Sequence, residues 1–261
     1  MMAKESTRLP KAILTIIFIY LLLPILATFL YSIATSWVNT VIPEGLTLKW
    51  YEQLVLNPDF LSVVVRSLIL SIFTTILGLV VFVPVIFYMN IYNQNLKSKM
   101  RFITMLPFII PGIILVTGLI QLYKEVPVPK IIILVMVLSV MSLPLVYQSL
   151  TNVFISKDFK SMYEQSQLLG YGPVKSFLLV IIPNIKTGLI VATLLLFTSG
   201  FGDYVMTNLF LGGNYVTLKI YMYRLMSTNG NAGSVLTIIY FIMLSILSVI
   251  LIKTTSKARK G

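Results

Sequence analysis

The sequence predicts an all-α integral membrane protein with six transmembrane helices. Three observations carry that reading. Of the 261 residues, 57% are hydrophobic and only 11% charged, where a soluble domain carries about a quarter charged residues. The apolar residues fall in continuous blocks of about twenty, enough to cross a hydrocarbon core of roughly 30 Å. A β-barrel would instead alternate in segments of about ten residues. The net charge of +12 is gathered in short segments beside the apolar runs, which is the pattern of membrane topology and not of nucleic-acid binding.

The first span, about 12–35, follows Lys4, Arg8 and Lys11. Its apolar run is longer than the roughly 7–15 residues of a cleaved signal peptide, so it reads as a retained helix. The other spans fall near 63–88, 102–122, 131–153, 184–210 and 234–252. Pro24, Pro84, Pro107, Pro111 and Pro144 punctuate them, and each removes a backbone donor and tends to kink its helix. The densest run, Leu106 to Gly112, reads either as a static kink or as a bend that lets the third span rearrange.

Lysine and arginine counts set the topology. The N-terminal tail, the 89–101 loop (Lys97, Lys99, Arg101), the 154–183 insert with the start of span five (Lys157, Lys160, Lys175, Lys186) and the C-terminal tail (Lys253, Lys257, Arg259, Lys260) hold fourteen of the 20. Lys49, Arg66, Lys124, Lys130, Lys219 and Arg224 lie on the other side. Both termini and the insert are therefore expected in the cytoplasm. On the outer side, 36–62 contains Trp37, Trp50 and Tyr51, read as interfacial anchors or as contacts for an extracytoplasmic partner. Pro43-Glu44-Gly45 reads as a turn.

Catalytic chemistry has little to work with. Histidine and cysteine are absent and the eight acidic residues are scattered, so thiolates, most zinc sites and the usual proton shuttle are excluded. Gly170-Tyr171-Gly172-Pro173-Val174-Lys175-Ser176 imitates a phosphate-binding loop, but Val174 stands where glycine must precede the lysine and Pro173 lacks an amide donor. ATP, if used, must be bound by another chain.

The insert carries the most information. Asp158 to Leu169 reads as a short helix in which Phe159, Met162, Tyr163, Ser166 and Leu169 recur at three- to four-residue spacing and form one adhesive face. Gly170 ends it, and an apolar stretch then leads through Pro183 into span five. This pattern resembles the EAA loop of permease subunits of binding-protein-dependent ABC importers. Glu164, Gly170 and Pro183 stand at the motif's spacing, and Val180 and Ile182 replace its Ile and Leu. Gln165-Ser166 departs from its Ala-Ala. The resemblance covers roughly 60–255 and implies the MetI-like permease fold, with a cytoplasmic coupling helix docked on a separate ATPase. The chain then divides into a tail, first helix and outer segment (1–59), the permease domain (60–255) and a basic cytoplasmic tail (256–261).

On that resemblance Tyr163, Glu164, Gln165, Ser166, Leu169, Gly170 and Pro183 are the ATPase-coupling residues. Gly170 would allow a sharp turn with positive φ, and Pro183 would start the next helix. The implied partners are a second permease chain (homologous or identical), two ATPase subunits holding ATP and Mg, an extracytoplasmic solute-binding protein and membrane lipid. The implied location is the bacterial plasma membrane, and no cofactor is expected on this chain.

Asp203 is the one acidic residue within a predicted span, where a carboxylate costs roughly 2.5–3.5 kcal/mol on insertion scales. With Tyr204 and Asn208 it reads as part of a substrate pathway, or equally as a cap or ion pair inside the bundle. Gly200 and Gly202 beside it permit close approach or local unwinding. Residues 202–243, with Leu218-Lys219-Ile220-Tyr221, and the outer Thr47-Leu48-Lys49-Trp50-Tyr51 resemble the spermidine/putrescine permease subfamily, whose relatives also handle ferric iron, thiamine and aminophosphonates. A polyamine or related amine-bearing solute is the expectation. An ion-coupled secondary transporter using Asp203, or a non-transporting membrane scaffold, are the competing classes.

Overall fold

The computed structural model describes residues 8–37 and 40–257. Lys4, Arg259 and Lys260 lie outside the described residues. The described chain is helical, with a single isolated antiparallel bridge between Ala34 and Leu46. Four helices are long and apolar enough to cross a membrane, or six spans if each of two bent pairs counts as one. This is a multi-pass membrane architecture.

The chain divides into two compact units, Met1–Leu61 with Tyr221–Leu244, and Ser62–Ile220 with Ser245–Gly261. In the first unit, α1 (Arg8–Ile33) runs unbroken through Pro24. Its apolar side chains are exposed almost throughout, as a lipid-facing helix requires. The outer segment folds back on its end: Thr35 N donates to Gly45 O at 2.9 Å and Thr47 N to Ile33 O at 2.7 Å. Trp50 and Tyr51, on α2 (Lys49–Val55), also bind there. Trp50 Nε1 donates to Ala34 O at 2.9 Å, and the Tyr51 hydroxyl meets Ser32 Oγ at 2.8 Å. Asn231, on α14 (Gly230–Lys257), donates to Tyr31 O at 2.8 Å and Ala34 O at 3.1 Å.

The second unit is built on α3 (Pro58–Ile91) and α7 (Lys130–Ile155), which keep Pro84 and Pro144 within continuous helices. Between them in sequence, the predicted third span is not one helix. It consists of α4 (Gln94–Ile103), α5 (Leu106–Ile109) and α6 (Gly112–Leu122), with a 90° bend before α6. The cause is local. Ile110 is extended (φ −88°, ψ 115°), as a residue before proline prefers, and Pro111 then serves as the N-cap of α6.

After α7 come α8 (Phe159–Leu168), α9 (Pro173–Ser176), a π-helical turn (Phe177–Ile181) and α10 (Ile182–Asn184). An 82° bend leads into α11 (Lys186–Gly202), followed by α12 (Val205–Leu211) and α13 (Leu218–Thr228). The fifth span thus ends eight residues before the predicted 210, because Gly202 gives way to an extended Asp203 (φ −72°, ψ 128°).

Helix α11 packs on α3 and α7 through small residues. A Cβ on Gly200 would lie 2.8 Å from Ser71 Cα, and one on Gly188 would lie 2.9 Å from a Val153 methyl. Several buried hydroxyls of this seam bond to backbone, as buried polar groups mostly do, while Thr74 Oγ1 is buried without a hydrogen-bond partner among the described residues. Ser139 Oγ donates across to Thr74 O at 3.0 Å, and Leu218 N donates to Ser67 Oγ at 2.7 Å. Two apolar cores flank it. One joins Leu70, Leu134, Leu138, Met206 and Phe210. The other joins Phe87, Tyr147, Leu150, Phe154, Phe159 and Tyr163 and takes in Leu96 and Met100 of α4. The second core therefore brings the basic 89–101 segment and the insert to the same end of the unit.

Candidate functional site

The insert is a tightly built helix–turn–helix. Asp158 caps α8 by accepting from Ser161 N at 3.1 Å, which satisfies one of the orphan donors of a helix start. Phe159, Tyr163 and Ser166, at i, i+4 and i+7, are buried. Three residues of the predicted face are turned onto the chain's own core, while Leu169, read as part of the same face, is exposed. Phe159 packs on Phe154 with ring centroids 5.0 Å apart, and Tyr163 meets Phe87 edge-on at 5.5 Å.

Tyr163 is also held by hydrogen bonds. Its hydroxyl pairs with that of Tyr92, just beyond α3, and accepts from Gln167 Nε2 at 2.8 Å. Burial, and then the neighbouring Tyr92 hydroxyl, push the Tyr163 phenol up to about 12. It therefore stays neutral at any physiological pH.

The C-terminus of α8 is a Schellman motif. Tyr171 N donates to Ser166 O at 3.1 Å and Gly170 N to Gln167 O at 2.9 Å. The motif needs a left-handed residue, and Gly170 supplies it with φ +84°. The turn leaves an apolar tip in the open, with Leu168 88% and Leu169 80% exposed and Val174 exposed beside them. Lys160 and Lys175 lie on the same insert. Lys175 Nζ stands 4.5 Å from the Tyr171 ring centroid, and Lys160 Nζ lies 3.9 Å from Glu164 Oε1.

The next segment runs helically from Pro173 to Asn184. Pro183 sits near its far end, three residues before α11, and has no N–H to give. The ladder widens to a π turn just before it, with Ile182 N donating to Phe177 O, the kind of local expansion that accommodates such a loss. Asn184 Nδ2 donates to Val180 O at 2.9 Å. The bend at Ile185 then turns the chain into α11.

The residues read from the sequence thus separate by role. Glu164, Gln165, Leu169 and Gly170 are exposed on the insert, while Tyr163 and Ser166 face inward and set its position. Leu168, Val174, Tyr92 and Gln167 also belong to this construction and were not singled out from the sequence. The i+4 spacing of Gln167 from Tyr163 was the available signal for one of them.

Asp203 lies elsewhere, at the far end of α11, about 25 Å along a 17-residue helix. Its Oδ2 accepts from Thr207 N and Thr207 Oγ1, both at 2.7 Å, so the carboxylate caps α12. Tyr204 and Asn208 are half-buried on the same short segment, and Asn208 N donates to Tyr204 O at 2.9 Å. No metal centre is built here: among the described residues, no group of three or more His, Cys, Asp or Glu could hold an ion.

No protein-family model matches the chain. Over 172 residues it is 25% identical to a curated protein of Mycoplasma genitalium, the spermidine/putrescine transport system permease protein PotC homolog. The alignment takes in 64% of this chain and 60% of that relative. On an apolar all-α bundle, this distant likeness supports a permease subunit of the general ABC-importer kind. It does not select a solute.

Proposed function

We propose that this chain is the transmembrane permease subunit of an ATP-driven ABC importer, and that it forms half of an alternating-access pathway. The observation that carries the reading is the insert. A short helix with Glu164 exposed on it, a left-handed glycine six residues after Glu164 and a return helix ending near Pro183 form a rigid knuckle. That knuckle presents Leu168, Leu169 and Glu164 outward while Tyr163 and Ser166 anchor it inward. A separate ATPase subunit would receive this tip in a groove, with basic or amide groups beside Glu164.

On this reading the insert and both termini are cytoplasmic, residues 60–255 form the permease domain, and a second permease chain completes the pathway. A solute-binding protein delivers the cargo from the outer side. ATP binding would shift the population only as far as its differential affinity for the two states allows. The cargo we favour is a polyamine or related amine-bearing solute, supported by the relative's name and the Asp203 carboxylate. Ferric iron, thiamine or an aminophosphonate are the alternatives within the same role.

The test is a tagged pull-down from detergent-solubilised membranes with mass-spectrometric identification. Recovery of a P-loop ATPase, lost on Glu164→Lys in a chain that still inserts, is the expected result. Recovery of the chain alone, still active in uptake without ATP, would move the assignment to an ion-coupled secondary transporter.

A further inference from the structure

We propose that a groove between α3 and α7 binds one acyl chain of a phospholipid with an anionic headgroup. The groove has a volume of about 640 Å³ and an almost wholly apolar lining that includes Phe73, Ile76 and Val80 of α3 and Ile132, Val135 and Met136 of α7. Phe73, Ile76 and Val80 are more than half exposed, so its mouth opens sideways from the helices into the surrounding bilayer.

Its length matches one leaflet. From Ile69 to Val80 the helix rises about 16 Å at 1.5 Å per residue, and half of a roughly 30 Å hydrocarbon core is about 15 Å. A transmembrane helix from another chain would need a trough of about twice that length and about 10 Å wide. An acyl chain running from headgroup level to the bilayer midplane needs only what is here.

One cation stands at the end of the groove that faces the starts of α3 and α7. Arg66 precedes Ile69 and Leu70 by three and four residues, so it lies on the groove's own stripe, one turn further out. It belongs to neither of the ion pairs found among the described residues, Lys124–Glu125 and Lys160–Glu164. The Arg66 guanidinium carbon lies 6.0 Å from the Tyr215 ring centroid, and the Tyr215 hydroxyl donates to the Arg66 backbone O at 3.0 Å. A guanidinium can bind phosphate through two parallel hydrogen bonds. An apolar slot one leaflet long with a cation at one end fits an amphiphile that carries its anion at the same end. The inference rests on α3 and α7 lying in a membrane, and not on the importer reading.

The test is native mass spectrometry of the full chain released from micelles doped with phosphatidylglycerol or with phosphatidylcholine of identical acyl chains. One phosphatidylglycerol should be retained in preference to phosphatidylcholine. Arg66→Gln should lower phosphatidylglycerol retention about fivefold and leave phosphatidylcholine unchanged, while Arg66→Lys restores most of it. Ile132→Trp, which fills the slot and keeps Arg66, should also displace the lipid. Equal retention of the two lipids would overturn the proposal, as would Ile132→Trp without effect. The chain has no native cysteine, so Phe73→Cys offers a clean probe: its cross-linking to a second protein chain in native membranes would show that protein covers the groove, and would overturn the proposal too.

Discussion

The insert at 158–184 and the break at 200–208 both interrupt the helical bundle with glycines and a carboxylate, yet they spend those residues in opposite ways. In the insert, Glu164 is exposed and has only a long ion pair at 3.9 Å, while the holding is done by buried Tyr163 and Phe159. At the break, Asp203 itself does the holding, with two hydrogen bonds at 2.7 Å to Thr207, and its neighbours Phe201, Met206 and Thr207 are buried. A carboxylate at a chain interruption is therefore not one kind of feature. The first is free to meet a partner; the second is committed to the fold.

That contrast is broken most readily at Tyr163. Tyr163→Ala removes a buried ring and two hydrogen-bonding contacts, and should cost about 3–5 kcal/mol, read as a fall in thermal denaturation temperature in detergent. An unchanged temperature would mean that α8 is not anchored by its own chain. Gly170→Ala comes next. A left-handed alanine costs roughly 1–2 kcal/mol, and the effect should appear as faster proteolysis at the turn, since no neighbouring atom crowds the added methyl.

At the break, Asp203→Ala should cost about 1 kcal/mol through loss of the cap. Asp203→Asn keeps an acceptor and should cost less. If Asp203 also lines the pathway, Asn will lower solute uptake at nearly unchanged stability. Uptake that follows stability across Ala and Asn would leave it as a cap alone.

A subtler probe is pH. The Tyr163 phenol is raised from the ordinary 10.0 to about 12, so folding favours its neutral form. That contribution is complete below pH 10 and is lost as the pH rises through about 12. Thermal stability should therefore fall more steeply over this window in the natural chain than in Tyr163→Phe, and parallel curves would remove the buried-phenol account.

Hydropathy was enough to find α1, α3, α7 and α14, because twenty apolar residues have one way to satisfy their backbone in a bilayer. The third and fifth spans depart from single straight helices where local chemistry outweighs hydropathy: at the extended Ile110 before Pro111, inside the 106–112 run read as a kink or a bend, and at the Gly202–Asp203 break, which ends α11 eight residues before 210. The α8 boundaries were legible, since Asp158 and Gly170 are a cap and a left-handed stop. What the stripe of Phe159, Tyr163 and Ser166 packs on was not legible. Its partners Phe87, Tyr92 and Phe154 lie on other helices, and spacing within one helix reports a face without reporting its occupant. Asp203 to Thr207 is an i, i+4 pair, a spacing at which a carboxylate reaches a helix-start N–H, so the capping alternative was legible there.

The smallest effect on stability is expected at Glu164, and it is the most informative. Both members of its pair with Lys160 are more than half exposed, and such surface pairs contribute about 0–1 kcal/mol. Glu164→Lys should therefore leave the denaturation temperature within the error of measurement and the Tyr163 anchor intact. Under the importer reading it nevertheless reverses the charge of an exposed position on an insert that already carries Lys160 and Lys175, and co-purification of the ATPase should fall sharply. Tyr163→Phe, which keeps the ring and loses the hydroxyl, should do the reverse, lowering stability while sparing association. If the two variants instead lost stability and association in proportion, Glu164 would be part of the scaffold after all, and the distinction between the insert and the Asp203 break would dissolve.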